Sequence, residues 1–140
     1  MVSNVRASIG AGLMLGLALS LLMWVTASPA QAETVGKCQA EIAQVRVLLT
    51  DTTNPNYADS FTNEKDRTGL IGKLDSASAK LGQGKFQDAL ANLQSFRTKV
   101  VALDQQGKIA DEDASTLIAG ADEAIACVQG LIDAQATSTA

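Results

Sequence analysis

The chain has 140 residues, of which 46% are apolar and 19% charged, with a net charge of −4 at pH 7. That balance fits neither a disordered polyelectrolyte nor a uniformly membrane-embedded protein, and the length suits one domain. There is no His, which removes Ser-His-Asp and Cys-His catalysis and His-based zinc sites. Haem is removed as well, because no CxxCH occurs and Met1, Met14 and Met23 all fall within the first 25 residues. No cofactor is expected.

Residues 1–32 read as a secretory signal. Arg6 precedes an apolar run from Ala7 to Val25, and Pro29 follows as a helix breaker. Ala30-Gln31-Ala32 then supplies the small-x-small pattern of a cleavage site, so cleavage is expected after Ala32. The competing reading is an uncleaved anchor, since the run has roughly the length that crosses a bilayer core and carries Gly12 and Gly16 as a GxxxG pair. Val35-Gly36-Lys37 before Cys38 is a poor lipid-attachment box. Cleavage leaves Glu33 to Ala140, or 108 residues; losing Arg6 leaves 10 basic against 15 acidic residues, a net −5. Without a basic cluster, such a chain does not suit nucleic acid or anionic lipid surfaces.

The mature chain has helical periodicity throughout. From about Thr34 to Leu49, the residues Val35, Cys38, Ile42, Val45 and Leu49 fall at 3-4-3-4 spacing, one stripe of a helix. Asp51 to Ser60, rich in Asn and Asp and containing Pro55, is a loop. A second helix starts near Asn63, whose side chain can accept from free backbone N–H groups, with Glu64 and Asp66 at the positive helix end. Its stripe is Leu70, Leu74, Ala77 and Leu81; Gly69 and Gly72 inside it suggest loose pitch or close packing. Gly82-Gln83-Gly84 ends it with a C-cap and tight turn. The third helix, about Lys85 to Gln105, turns Phe86, Ala89, Leu90, Leu93, Phe96, Val100 and Leu103 inward and closes at Gly107. Asp111-Glu112-Asp113 opens a fourth helix carrying Leu117, Ile118, Ala121, Ile125, Val128 and Ile132. A helical domain over 33–135 and a disordered tail at 136–140 follow.

Four helices with short links favour an all-α, up-down-up-down four-helix bundle. In that topology Cys38, near the start of the first helix, and Cys127, near the end of the last, lie at the same end. In an exported chain with two Cys, a disulfide between them is the default. Two buried free thiols are the alternative, and the absence of CxxC spacing disfavours a redox-active pair.

Gly69-Leu70, Lys73-Leu74-Asp75, Ala77, Leu81, Gly84, Ala89, Leu93, Phe96 and Val100 carry a resemblance, continued by Gly107-Lys108-Ile109, Ala114, Leu117-Ile118, Ala121 and Ile125. This stretch, Gly69 to Ile125 and about 57 of the 108 mature residues, resembles the FIMAH-type helical module of secreted and surface-attached bacterial proteins. The resemblance implies a non-catalytic appendage whose matched residues are packing residues. Two departures stand out. No partner domain accompanies the module, and Ala110 occupies a position where such modules tend to have a capping Ser.

Few residues suggest chemistry. Asp51, Asn54, Asn56 and Asp59 offer hard oxygen ligands for calcium, without EF-hand spacing; the alternative is an Asx-rich turn. Tyr57 and Phe61 either form a partner-binding patch or cap the core. Asp111, Glu112 and Asp113 are adjacent, so they do not face one another as a catalytic pair. Gly82-Gln83-Gly84 reads as a turn before it reads as an anion nest.

The expected function is an exported, non-catalytic interaction or scaffold module in the periplasm, on the cell surface or in the medium. Its partner would be an envelope or extracellular protein or a cell-wall macromolecule, with membrane contact only if the signal segment stays attached. The alternative is a regulator or inhibitor of a secreted hydrolase. Intact-mass measurement of the exported protein should give a chain beginning at Glu33; a mass that includes residues 1–32 would identify an anchor.

Overall fold

A computed structural model of the chain describes residues 29–51 and 61–138. Four helices follow in order: α1 (Pro29–Thr50), α2 (Glu64–Gly82), α3 (Phe86–Gln105) and α4 (Asp111–Ser138). Each packs on its two neighbours in a closed ring, α1 on α2, α2 on α3, α3 on α4 and α4 back on α1. This is the up-down-up-down four-helix bundle, with the first and last helices side by side.

The apolar stripes become the core. Cys38, Ile42, Val45 and Leu49 of α1 meet Leu70, Leu74, Ala77 and Leu81 of α2 and the Phe86-to-Leu103 stripe of α3, all buried. On α4 the buried line is Ala114, Leu117, Ala121, Ala124, Val128 and Leu131, whereas Ile118, Ile125 and Ile132 are only partly buried. The centre of the face is therefore rotated from the expected stripe. Small alanines sit where α4 approaches its neighbours, and the isoleucines flank the seam.

The helix ends follow local chemistry. Asn63 caps α2 by accepting from the Lys65 N–H at 2.9 Å. Gly84 and Gly107 adopt φ of +72° and +64°, conformations that favour glycine. After α2, the Gly84 N–H donates to the Leu81 carbonyl and that of Lys85 to Lys80; after α3, Gly107 donates to Asp104 and Lys108 to Leu103. Both are Schellman closures, and they make links of three and five residues sufficient to reverse the chain.

Two boundaries differ from the expected ones. α1 is already helical at Pro29, ahead of the expected start at Thr34. The Thr34 hydroxyl also donates to the Ala30 carbonyl at 2.9 Å across that turn. The expected cleavage point after Ala32 thus falls within α1. α4 continues to Ser138, into the tail that was expected to be disordered, and the Thr137 hydroxyl donates to the Asp133 carbonyl. By length and composition α4 could cross a membrane, but here it is a wall of the bundle with its apolar face turned to the core.

Polar ties mark the seams. Arg46 pairs with Asp75 at 2.6 Å between α1 and α2, and the Arg67 guanidinium donates to the Leu49 carbonyl at the end of α1. Lys99–Asp66, Lys80–Asp88 and the Lys73–Ser95 hydrogen bond join α2 to α3, and Arg97–Asp122 joins α3 to α4. Exposed pairs of this kind contribute about 0–1 kcal/mol each. Between α1 and α4, among the described residues, there is no ion pair. That seam is closed instead by the Cys38–Cys127 disulfide and by the packing of Val45 on Gly120.

The glycines on these helices have different reasons. Around Gly69 and Gly72 an added Cβ would meet nothing within 4 Å, so close packing does not account for either. At Gly120 it would stand 2.7 Å from Val45 Cγ2, and valine is stiff about χ1. Gly72→Ala should therefore raise stability by about 0.5–1 kcal/mol, whereas Gly120→Ala should lower it by about 1–3 kcal/mol. Val45→Ala should recover part of that loss in the double variant, as read by denaturant titration.

Candidate functional site

Cys38 and Cys127 are joined, with 5.6 Å between their Cα atoms and a sequence separation of 89. Cys38 is wholly buried on α1, and Cys127 is partly buried on α4 and packed against the core. Closing a loop of that size contributes about 3–5 kcal/mol in the chain-entropy view. The bond is compatible with an oxidising location.

The interhelical loop contributes less to a site than its sequence suggests. Of the calcium candidates, Asp51 is half-buried at the end of α1, while Asn54, Asn56 and Asp59 lie outside the described residues, as does Tyr57. Among the described residues, no group of three or more His, Cys, Asp or Glu converges to hold a metal ion. Phe61 is 8% exposed and belongs to the core. It therefore follows the capping alternative and is withdrawn from any partner surface. The Thr62 N–H donates to the Lys108 carbonyl at 3.1 Å, which holds this entry to α2 against the α3–α4 turn, beside buried Ile109.

Among the described residues, clefts form at the pole where α1 starts and at the α1–α4 seam. At the pole where α1 starts and α4 ends, a cleft of about 420 Å³ lies among Gln31, Val35, Leu81, Phe86 and Gln135. A larger one of about 760 Å³ adjoins it, walled by Ala30, Gln31, Thr34 and Ile132. Part of both walls comes from residues that cleavage after Ala32 would remove. The second place is the outer side of the α1–α4 seam. There a groove of about 310 Å³ lies between Glu41, Val45 and Leu48 of α1 and Ala119, Gly120 and Glu123 of α4. It is built wholly from residues downstream of Ala32.

This groove has an unusual polar group. Glu41 Oε2 is shut off from solvent and accepts no hydrogen bond. An acceptor left in that state costs about 1–3 kcal/mol relative to a satisfied one. Neither Glu41 nor Glu123 takes part in an ion pair among the described residues, although Lys37 lies one turn before Glu41. Neither glutamate was singled out from the sequence. The available signal was Glu41 bordering the Cys38–Ile42–Val45 stripe, opposite the small pair Ala119-Gly120.

The acids at the α3–α4 turn behave differently. Ala110 leaves the start of α4 without a side-chain cap, and the first helical bond runs from the Ala114 N–H to the Ala110 carbonyl at 2.9 Å. Asp111 instead lies against Asp104. Partial desolvation, then a hydrogen bond to Asp111 and its like charge, raise the Asp104 carboxyl above its ordinary value of 3.8. Asp113 is buried in the same turn.

No protein-family model matches the chain, and neither a curated protein nor a solved structure is significantly similar to it.

A carboxyl whose pKa is raised by folding binds its proton more tightly in the native state than in the unfolded one. Its charged form therefore opposes folding at neutral pH, and stability is regained as pH falls through the raised value towards 3.8. Asp104→Asn should raise the melting temperature at pH 7, with the gain shrinking as the pH approaches 4. An equal gain at both pH values would show that the Asp104–Asp111 contact is not its source.

Proposed function

We propose that this protein is an exported, non-catalytic helical module that binds another envelope or extracellular macromolecule through a helix face. The observation that carries the reading is the division of its chemistry between core and surface. The core is an apolar ring of helices in which Asp113 is the one buried polar or charged residue among those described. Three seams are tied by surface pairs, and the fourth keeps a groove with unpaired carboxylates. Such a body offers a rigid surface for recognition.

The disulfide supports export, since an oxidising compartment is where such a bond persists. The secretory reading of residues 1–32 points the same way.

The test is a cross-linking pull-down from envelope and culture-medium fractions, with the oxidised protein as bait and the Cys38→Ser/Cys127→Ser variant as control. The expected outcome is a partner retained at least tenfold better by the disulfide-bonded form. Equal recovery by both, or by neither, would overturn the reading.

A further inference from the structure

We propose that the groove between α1 and α4 receives a basic side chain, an arginine or a lysine, from a partner polypeptide. This rests on the reading of the protein as a binding module and names the chemistry of its partner at one place.

The groove has two kinds of wall. Val45, Leu48, Ala119 and Gly120 form an apolar part, and the small side chains of Ala119 and Gly120 leave the space between the helices unfilled. Glu41 and Glu123 add a carboxylate from each helix. A long basic side chain matches that division, because its methylene stem covers apolar surface while its charged head seeks carboxylate. The Glu41 Oε2 atom is buried and without a hydrogen bond, so no group of the fold itself competes for that carboxylate.

Charge selects a cation over an anion. Among the described residues neither glutamate is in an ion pair, not even Glu41 with Lys37 one turn before it, in a chain whose net charge is −4. The same two groups are too few for a calcium ion, which takes six to eight oxygen ligands, and no third acid or cysteine converges on them. An apolar contribution is also at hand. Val47, three residues after Gln44 and beside it on the helix surface, is 56% exposed and is the large hydrophobic left to solvent among the described residues. A partner segment with a basic residue next to an apolar one would use both.

The experiment is an NMR titration of the oxidised, ¹⁵N-labelled protein with the peptide acetyl-Leu-Arg-Leu-amide and with its uncharged citrulline counterpart. The arginine peptide should shift the amides of Glu41, Val45, Gly120 and Glu123, and the citrulline peptide should bind at least tenfold more weakly. The Glu41→Gln/Glu123→Gln variant, checked for its native melting behaviour, should lose at least tenfold in affinity. Glu112→Gln, at the far start of α4, should titrate like the unaltered protein. Equal binding of the two peptides, shifts centred on Asp111 and Glu112, or no shifts at all would overturn the proposal. So would calcium chloride moving the same four amides at lower concentration, which would make the groove a metal site. Used as pull-down bait, the double variant separates this proposal from the broader one. A partner captured equally well by it sinks the groove and leaves the module standing.

Discussion

The bond between Cys38 and Cys127 fixes the first helix to the last, and the ring depends on that closure. α1 is joined to the rest through residues 51–63, the longest connection in the bundle, whereas the other links are three and five residues. A long connection leaves the unfolded chain many ways to place α1 wrongly, and closing it costs entropy. In the oxidised chain the disulfide removes much of that freedom from the unfolded state. A core this small is marginal, so a covalent tie between its terminal helices is a physically sensible reinforcement.

The tie also changes what the seam beside it must do. Arg46–Asp75, Lys99–Asp66 and Arg97–Asp122 bridge the other three seams. At the α1–α4 seam the bond and the Val45–Gly120 contact hold the helices together, so the polar residues along it need not pair with one another. Glu41 and Glu123 remain uncommitted. That surface is the one left free for the binding role we propose.

Like charges meet at the opposite pole. There α3 ends and α4 begins through a glycine turn, without a side-chain cap at Ala110, and Asp104 and Asp111 are brought together. Placing acids in the first turn of α4 favours the helix dipole, but the tight reversal sets one of them against an acid at the end of α3. The same pole holds Phe61 and Ile109 under the turn, with the Thr62-to-Lys108 hydrogen bond tying it down. Local helix chemistry and the geometry of the turn conflict here, and packing prevails.

Periodicity and turn chemistry are properties of neighbours along the chain, which is why so much was legible before folding was considered. The Leu70-Leu74-Ala77-Leu81 stripe, the Asn63 cap, the closures at Gly84 and Gly107, and the pairing of Cys38 with Cys127 all follow from spacing, side-chain type and the antiparallel path. The rotation of the α4 face towards Ala124 and Leu131, and the helical turn of α1 ahead of Thr34, were not legible, because several positions suit either side of a helix border. The withdrawal of Phe61 into the core belongs with them, since an aromatic beside a loop serves a surface or a core equally well until the loop is placed. The groove is the furthest from sequence. Glu41 and Glu123 are 82 positions apart and belong to no motif. Only the packing of α4 against α1, with Gly120 letting Val45 come close, sets the two carboxylates along one cleft. Helices and their ends are written in local sequence; a site shared by two helices exists only once tertiary contact fixes which faces meet.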